Sequence, residues 1–364
     1  MATLATPSTQ PIPGVSGDVA SATIPVRIYY EDTDAGGLVH HSNYLRYFER
    51  GREHLLGCNK LLTLFARSGR SFVVASITVL YKKGAVWGDV LEIRTSTHVH
   101  SPYRVEFRQD VYRGDELLVE GHVFMATVEG EGAAMRLCKF PDYILNGDVP
   151  TIPGLRTTSD GSGRGAGTAV LKKNPPRKRL PPPRRKNNNA GGGAAAQGWK
   201  VFGAEVDSQC VMTVYLDDTD FTGICYNSNY LKWMERARAN AIGISTLADL
   251  RNRSDEDGGG VGAAIYKAEL TFKKGAGFGD TVVISTLARI ESEYRVAFLH
   301  EIRRVPRDIA ALRKSQGMTD ALFSEEEFAT LPLLVSAEIS LVFLGDGGKG
   351  TLVKLPSAVN QFLK

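Results

Sequence analysis

The sequence predicts an α+β chain made of two copies of one domain. Residues 26–52 match residues 212–238 without a gap at 12 of 27 positions, where chance would give one or two. A second block, Lys82-Lys83-Gly84-Ala85 through Gly88-Asp89, recurs as Lys273-Lys274-Gly275-Ala276 through Gly279-Asp280, and Tyr103-Arg104-Val105 recurs as Tyr294-Arg295-Val296. Within each copy, one helix-period segment precedes a run of strand-like segments, the pattern of a sheet curled round a single helix.

The elements follow in order. A short strand is expected at 24–30 and 210–216, then a turn at Gly36-Gly37 and at Thr222-Gly223. The helix is expected over 42–56 and 228–242, because Tyr44, Leu45, Phe48 and Leu55 fall at helical spacing. Ser42 and Ser228 read as N-caps, Gly57 and Gly243 as stops. Strands are expected at 72–81, 90–100, 103–112 and 117–129, and again at 261–272, 281–290, 295–303 and 333–344. An acidic, helix-like insertion occupies about 306–330.

The domain reading is a disordered tail at 1–24, a first domain at 25–149, a linker at 150–198 and a second domain at 199–364. The tail is rich in Ala, Ser, Thr and Pro and lacks the charged start and apolar core of a secretory signal; an organelle-targeting segment is the alternative. The linker has too few apolar residues to offset the entropy of ordering it. Its 161–198 window holds nine basic residues and no acid, so the net charge of +4 becomes 4 − 9 = −5 for the remainder. The basic run reads as a solvated linker, a nuclear localisation signal or a contact to an anionic surface. It lacks the aromatics of a single-strand nucleic-acid binder, and no specific nucleic acid is expected.

Composition excludes other classes. With 43% apolar and 23% charged residues the chain is ordinary for a globular protein. No segment approaches the ~20 apolar residues of a membrane span. Cys58, Cys138, Cys210 and Cys225 are scattered, which argues for core thiols in a reducing compartment rather than disulfides or zinc. No His cluster stands at ligand spacing, and His98, His100 and His122 lack an acidic partner in the sequence, so no metal is assigned. A cytoplasmic location is expected, with plastid or mitochondrion as alternatives.

The segment Tyr30-Glu31-Asp32-Thr33-Asp34-Ala35-Gly36-Gly37-Leu38-Val39-His40-His41-Ser42-Asn43-Tyr44-Leu45 carries the chemistry. A carboxylate, Asp34, precedes a glycine turn that opens onto a helix N-terminus, where free N–H groups and a partial positive charge can hold an oxyanion. The carboxylate could attack a carbonyl or activate water. The residues also allow Asp32 and Asp34 simply to build an Asx turn and cap the helix.

This motif, with the Glu49-Arg50 that follows and the Tyr81-Lys82-Lys83 to Gly88-Asp89 block, resembles the 4-hydroxybenzoyl-CoA thioesterase-like acyl-CoA thioesterases of the hotdog superfamily. The resemblance covers both halves and omits the tail, linker and insertion. It implies two hotdog domains arranged as an intramolecular pseudo-dimer, hydrolysing a thioester of CoA or acyl-carrier protein with no cofactor beyond CoA as part of the substrate. It implies Asp34 and Asp220 as catalytic carboxylates, and the main-chain N–H of His41 and Asn227 as the oxyanion donors. It also implies a homodimer of tandem chains.

Weaker candidates remain. Glu49 and Glu235 could approach the acyl group or pair with the neighbouring arginines. Lys82, Lys83, Lys273 and Lys274 could bind CoA phosphates or be solvated charges. The sequence departs from the family's basic cluster, having Ser101-Pro102-Tyr103 and Glu291-Ser292-Glu293 there. A non-catalytic acyl-CoA or acyl-carrier-protein binding module is the alternative, and dehydration of a hydroxyacyl thioester a third reading.

Overall fold

In the computed structural model, residues 20–130, 135–146, 200–201, 208–252, 260–319, 322–357 and 359 are described. The linker reading at 150–198 and most of the tail reading lie outside them. The first half runs β1 (Ala20–Arg27), α1 (Asn43–Leu56), α2 (Cys58–Ser68), β2 (Arg70–Tyr81), β3 (Val90–Ser101), β4 (Arg104–Arg113), β5 (Glu116–Glu129), β6 (Arg136–Cys138) and α3 (Asp142–Leu145). The second half runs β7 (Lys200–Val201), β8 (Gln209–Thr213), α4 (Asn227–Ile242), α5 (Ile244–Asn252), β9 (Gly262–Phe272), β10 (Thr281–Ser292) and β11 (Arg295–Val305). After these come α6 (Arg307–Ser315), α7 (Glu325–Thr330), β12 (Leu333–Leu344) and β13 (Leu352–Val353).

All strands join one antiparallel sheet, ordered β1-β3-β4-β5-β2-β9-β12-β11-β10-β7, with β8 also on β10. The halves are joined where β2 pairs with β9, Ser76 opposite Thr271 through Leu80 opposite Lys267. The expected curled sheet is present in each half, with α1 packed on β1, β3 and β4, and α4 on β10. Each helix buries the face its spacing predicts: Tyr44, Leu45, Phe48 and Leu55 in α1, and Tyr230, Leu231, Met234 and Ala241 in α4.

Several boundaries differ from the sequence reading. β1 begins at Ala20, inside the expected tail, because Ala20–Arg27 finds a full register along β3. Ser42 precedes α1 but makes no cap bond; its hydroxyl goes to His40 Nδ1 at 2.8 Å. Ser228 is not a cap either, since α4 already begins at Asn227, with Tyr226 in the cap position. Both glycine stops hold, with Gly57 at φ 81° and Gly243 at φ 96°. Each then reverses the chain into an unforeseen second helix, α2 or α5. The insertion folds as α6 and α7, the latter opened by a capping box from Ser324 and Glu327.

The helix lies tight on the sheet at Gly121 of β5, where an added Cβ would run into the Phe48 ring. Gly121→Ala is therefore expected to destabilise the protein by about 1–3 kcal/mol through overpacking. Urea unfolding of the variant checks this, and wild-type stability would contradict it.

Candidate active sites at the junction of the halves

The doubled motif folds the same way twice. Asp32 Oδ2 accepts the N–H of Tyr29 at 2.9 Å, and Asp218 Oδ2 that of Tyr215 at 3.0 Å. Asn43 donates to the carbonyl of Asp32 at 2.9 Å, and Asn229 to that of Asp218 at 3.1 Å. The first Asp and the Asn of the motif thus build the loop. The second Asp crosses the turn: Asp34 Oδ1 accepts Gly36 N–H at 2.6 Å, while Asp220 Oδ1 accepts the Thr222 N–H at 2.8 Å and its hydroxyl at 2.5 Å. The Asx turn that the residues also allowed is present in both halves and fixes each carboxylate across its turn. Gly37 and Gly223 close the turns at φ 72° and 77°, the left-handed region that glycine enters without strain.

Each turn is pinned to the loop between β2 and β3, or between β9 and β10, by Val39 N–H to Ala85 and Cys225 N–H to Ala276, at 2.8 and 2.7 Å. Tyr44 and Tyr230 hydroxyls each accept the N–H of that same alanine at 3.0 Å. At the helix starts, the N–H of His41 and of Asn227 have no hydrogen-bond partner among the described residues.

Each helix start faces the middle of the other half's helix. Glu235 of α4 accepts from His40 at 2.6 Å and lies 3.7 Å from His41 Nε2. In the mirror position Glu49 of α1 accepts from Asn227 Nδ2 at 3.3 Å and also pairs with Tyr226. Glu49 does carry the anticipated arginine pair, to Arg52 at 3.6 Å. Glu235 instead serves the two histidines across the junction. The N–H of Ser42 points at His40 Nδ1, so that nitrogen accepts and Nε2–H donates to Glu235. Burial works to raise the Glu235 carboxyl, but the His40 hydrogen bond and nearby His41 and Arg238 outweigh it and hold it at about 2.

The expectation of no histidine cluster needs correction here, because folding brings His40, His41 and Glu235 within ligand distance of one another. His100 and His122 also have an acidic partner that the sequence hid. Glu106 of β4 accepts from His100 at 2.6 Å and from His122 at 2.7 Å across adjacent strands. Cys58 is exposed rather than a core thiol, and all four cysteines are free.

Beneath the sites lie matched buried networks. In the first half Arg52 donates to Gln109 at 2.7 Å, and Gln109 donates to Thr95 and to the carbonyl of Phe48. In the second half Arg238 and Thr286 flank His300 at 3.2 and 3.1 Å. Arg238 can only donate, so His300 accepts at Nε2 and is neutral.

The surroundings of the two carboxylates differ. Asp220 is half-buried and lines a cavity of about 590 Å³ with Asn227, Lys273 and Lys274, whose far wall is α2, β2 and β5 of the first half. Asp34 is exposed and is not part of that wall. Lys82 pairs with Glu120 at 3.3 Å and Lys83 with Glu116. Among the described residues Lys273 and Lys274 make no ion pair.

Two hotdog units sharing one sheet, with a carboxylate and a helix-start amide at each end of their junction, define a tandem hotdog protein. A profile of the thioesterase-like superfamily matches residues 29–147 and again 214–339, and the chain belongs to that superfamily. Acyl-CoA thioesterase YbgC of Haemophilus influenzae is 37% identical over 109 residues, 29% of this chain and 80% of that protein. Acyl-CoA thioester hydrolase YbgC of Escherichia coli is 36% identical over 107 residues, with the same shares. A solved acyl-ACP thioesterase from Bacteroides thetaiotaomicron covers 89% of this chain and 97% of its own, at TM-score 0.53 and 10% identity, a likeness of fold.

Burial, with His40 beside it, holds His41 well below the ordinary histidine value of 6.5, and burial beside Arg238 does the same to His300. Unfolding frees both rings to take up protons, so stability should fall as pH drops below about 6.5, by up to about 1.4 kcal/mol per pH unit for each ring. Glu235, depressed, adds a separate loss as pH falls from 4.5 towards 2. Urea midpoints of wild type, His41→Asn and His300→Gln at pH 7 and 5.5 test the histidine part. A wild-type midpoint that is flat over that interval would refute it.

Proposed function

We propose that the chain hydrolyses acyl thioesters of CoA or acyl-carrier protein, with Asp220 and Asp34 as the catalytic carboxylates and the N–H groups of Asn227 and His41 as oxyanion donors. One observation carries the reading: at Asp220 a turn-held carboxylate and the helix-start residue Asn227, whose main-chain N–H is uncommitted among the described residues, line one largely apolar cavity, and the same turn and free helix-start N–H recur at Asp34 and His41. The names of the YbgC relatives support it.

In this reading the carboxylate takes a proton from water, and the hydroxide adds to the thioester carbonyl. The negative charge that develops on oxygen is held by the helix-start N–H, reinforced by the partial positive charge of the helix terminus. Collapse of the adduct breaks the C–S bond. The thiolate takes the proton held by the aspartate, and acid and thiol leave. Direct attack by the carboxylate, giving a mixed anhydride that water opens, uses the same geometry. Either way the donor belongs to the main chain, which is why His41 and Asn227 can differ in side chain. Glu235 and Glu49, reaching across from the other half, fix the residues around each helix start.

Replacing both carboxylates, Asp34→Asn with Asp220→Asn, should lower thiol release by roughly 10²–10⁴-fold. The measurement is thiol release from a panel of acyl-CoA and acyl-carrier-protein substrates. Wild-type rates in the double variant on every substrate would overturn the hydrolase reading. Saturable binding of acyl-CoA by the wild type without thiol release would favour the binding module instead.

A further inference from the structure

We propose that the two sites are not equivalent, and that the Asp220 site takes a long aliphatic acyl chain. The chain would lie in the chamber supplied by the first half, with the phosphate of its pantetheine carrier against Lys273 and Lys274. This rests on the thioesterase reading and adds to it the substrate class and the site that receives it.

Two contrasts between mirror positions, together with the lining of the Asp220 chamber, carry the inference. The first is the collar facing each aspartate loop. At the Asp220 site Phe65 of α2 packs edge-on against Phe221, ring centres 5.7 Å apart. The repeat offset of 186 places Arg251 and Ala35 at the mirror positions, and there the Arg251 guanidinium donates to the carbonyl of Ala35. Lys349 closes on the same loop, its Nζ 2.8 Å from where a Cβ of Gly37 would stand. One aspartate loop thus meets an aromatic ring and the other is held by two cations.

The second observation is the lining. Beyond Glu49 and Arg52 the Asp220 chamber runs between Leu61, Leu62, Phe72, Val74, Met125 and Val128. An alkyl chain there gains ~0.8 kcal/mol for each methylene removed from water.

The third is the charge at the mouth. The main-chain N–H groups of Lys82 and Lys83 bond to Leu118, and those of Lys273 and Lys274 bond to Leu334, so the two lysine pairs occupy matching places. By that match, the acids that neutralise the first pair, Glu116 and Glu120, are replaced by Pro332 and Ser336. The second pair lines the Asp220 cavity with no ion pair among the described residues, and a phosphate would answer it there.

The test uses the full chain and the ratio of kcat/KM for lauroyl-CoA over butyryl-CoA, with benzoyl-CoA alongside. Leu61→Trp fills the chamber and Leu62→Asp places a charge in it; Leu62 is 56% exposed, so its replacement leaves the core intact. Each should lower the ratio at least tenfold, whereas the mirror substitution Leu247→Trp should not. A wild-type preference for butyryl- or benzoyl-CoA, or an equal effect of Leu247→Trp, would overturn the proposal while leaving hydrolysis standing. Titration with a thioether analogue of lauroyl-CoA separates the two claims: binding lost in Leu62→Asp without any thiol release in the wild type would sustain the chamber and sink the hydrolase. The double variant Lys273→Gln, Lys274→Gln should raise KM. A rise for lauroyl-CoA alone assigns the lysines to nucleotide phosphates, and a rise for lauroyl-carrier protein as well assigns them to the pantetheine phosphate. No rise with either removes the phosphate contact.

Discussion

The pairing of β2 with β9 is the constraint on which the rest depends. Five residues of each strand lie side by side, and this short antiparallel seam fuses two sheets into one. With the sheets continuous, α1 and α4 are brought into contact, and each helix start is set against the middle of the other helix. Neither half contains a whole candidate site. The loop, the aspartate and the amide come from one, while the opposing glutamate, and at Asp220 the chamber wall, come from the other.

That division gives the duplicated chain a freedom a symmetric dimer lacks. In a dimer of identical subunits every substitution appears at both sites. Here the positions of Phe65 and Arg251, or of Glu116 and Pro332, can vary independently, and the two junctions differ in charge. The parts that stayed matched are those that hold the backbone in place. Asp32 and Asp218, Asn43 and Asn229, Tyr44 and Tyr230 make the same hydrogen bonds at nearly the same lengths.

The buried networks illustrate how conserved function of a position differs from conserved identity. Arg52 and Arg238 are both buried in helices, and each needs an acceptor. Gln109 supplies it through a carbonyl oxygen and His300 through a neutral ring nitrogen. The second solution makes the core sensitive to acid, because protonating His300 would remove the acceptor and set two cations together.

The sequence by itself determined the duplication, the helix-then-meander order and the carboxylate–turn–helix unit, because each is written in local spacing: helical period, strand runs, and a turn whose glycine must enter the left-handed region. It could not show α2 and α5, whose register is masked by the sharp reversal at Gly57 and Gly243. Nor could it pair His40 with Glu235, or Glu106 with His100 and His122, since those partners lie on different strands or different halves. Which aspartate meets an apolar chamber was decided only in three dimensions. That outcome depends on what the opposite half presents to each loop, and no spacing along one strand of sequence records it.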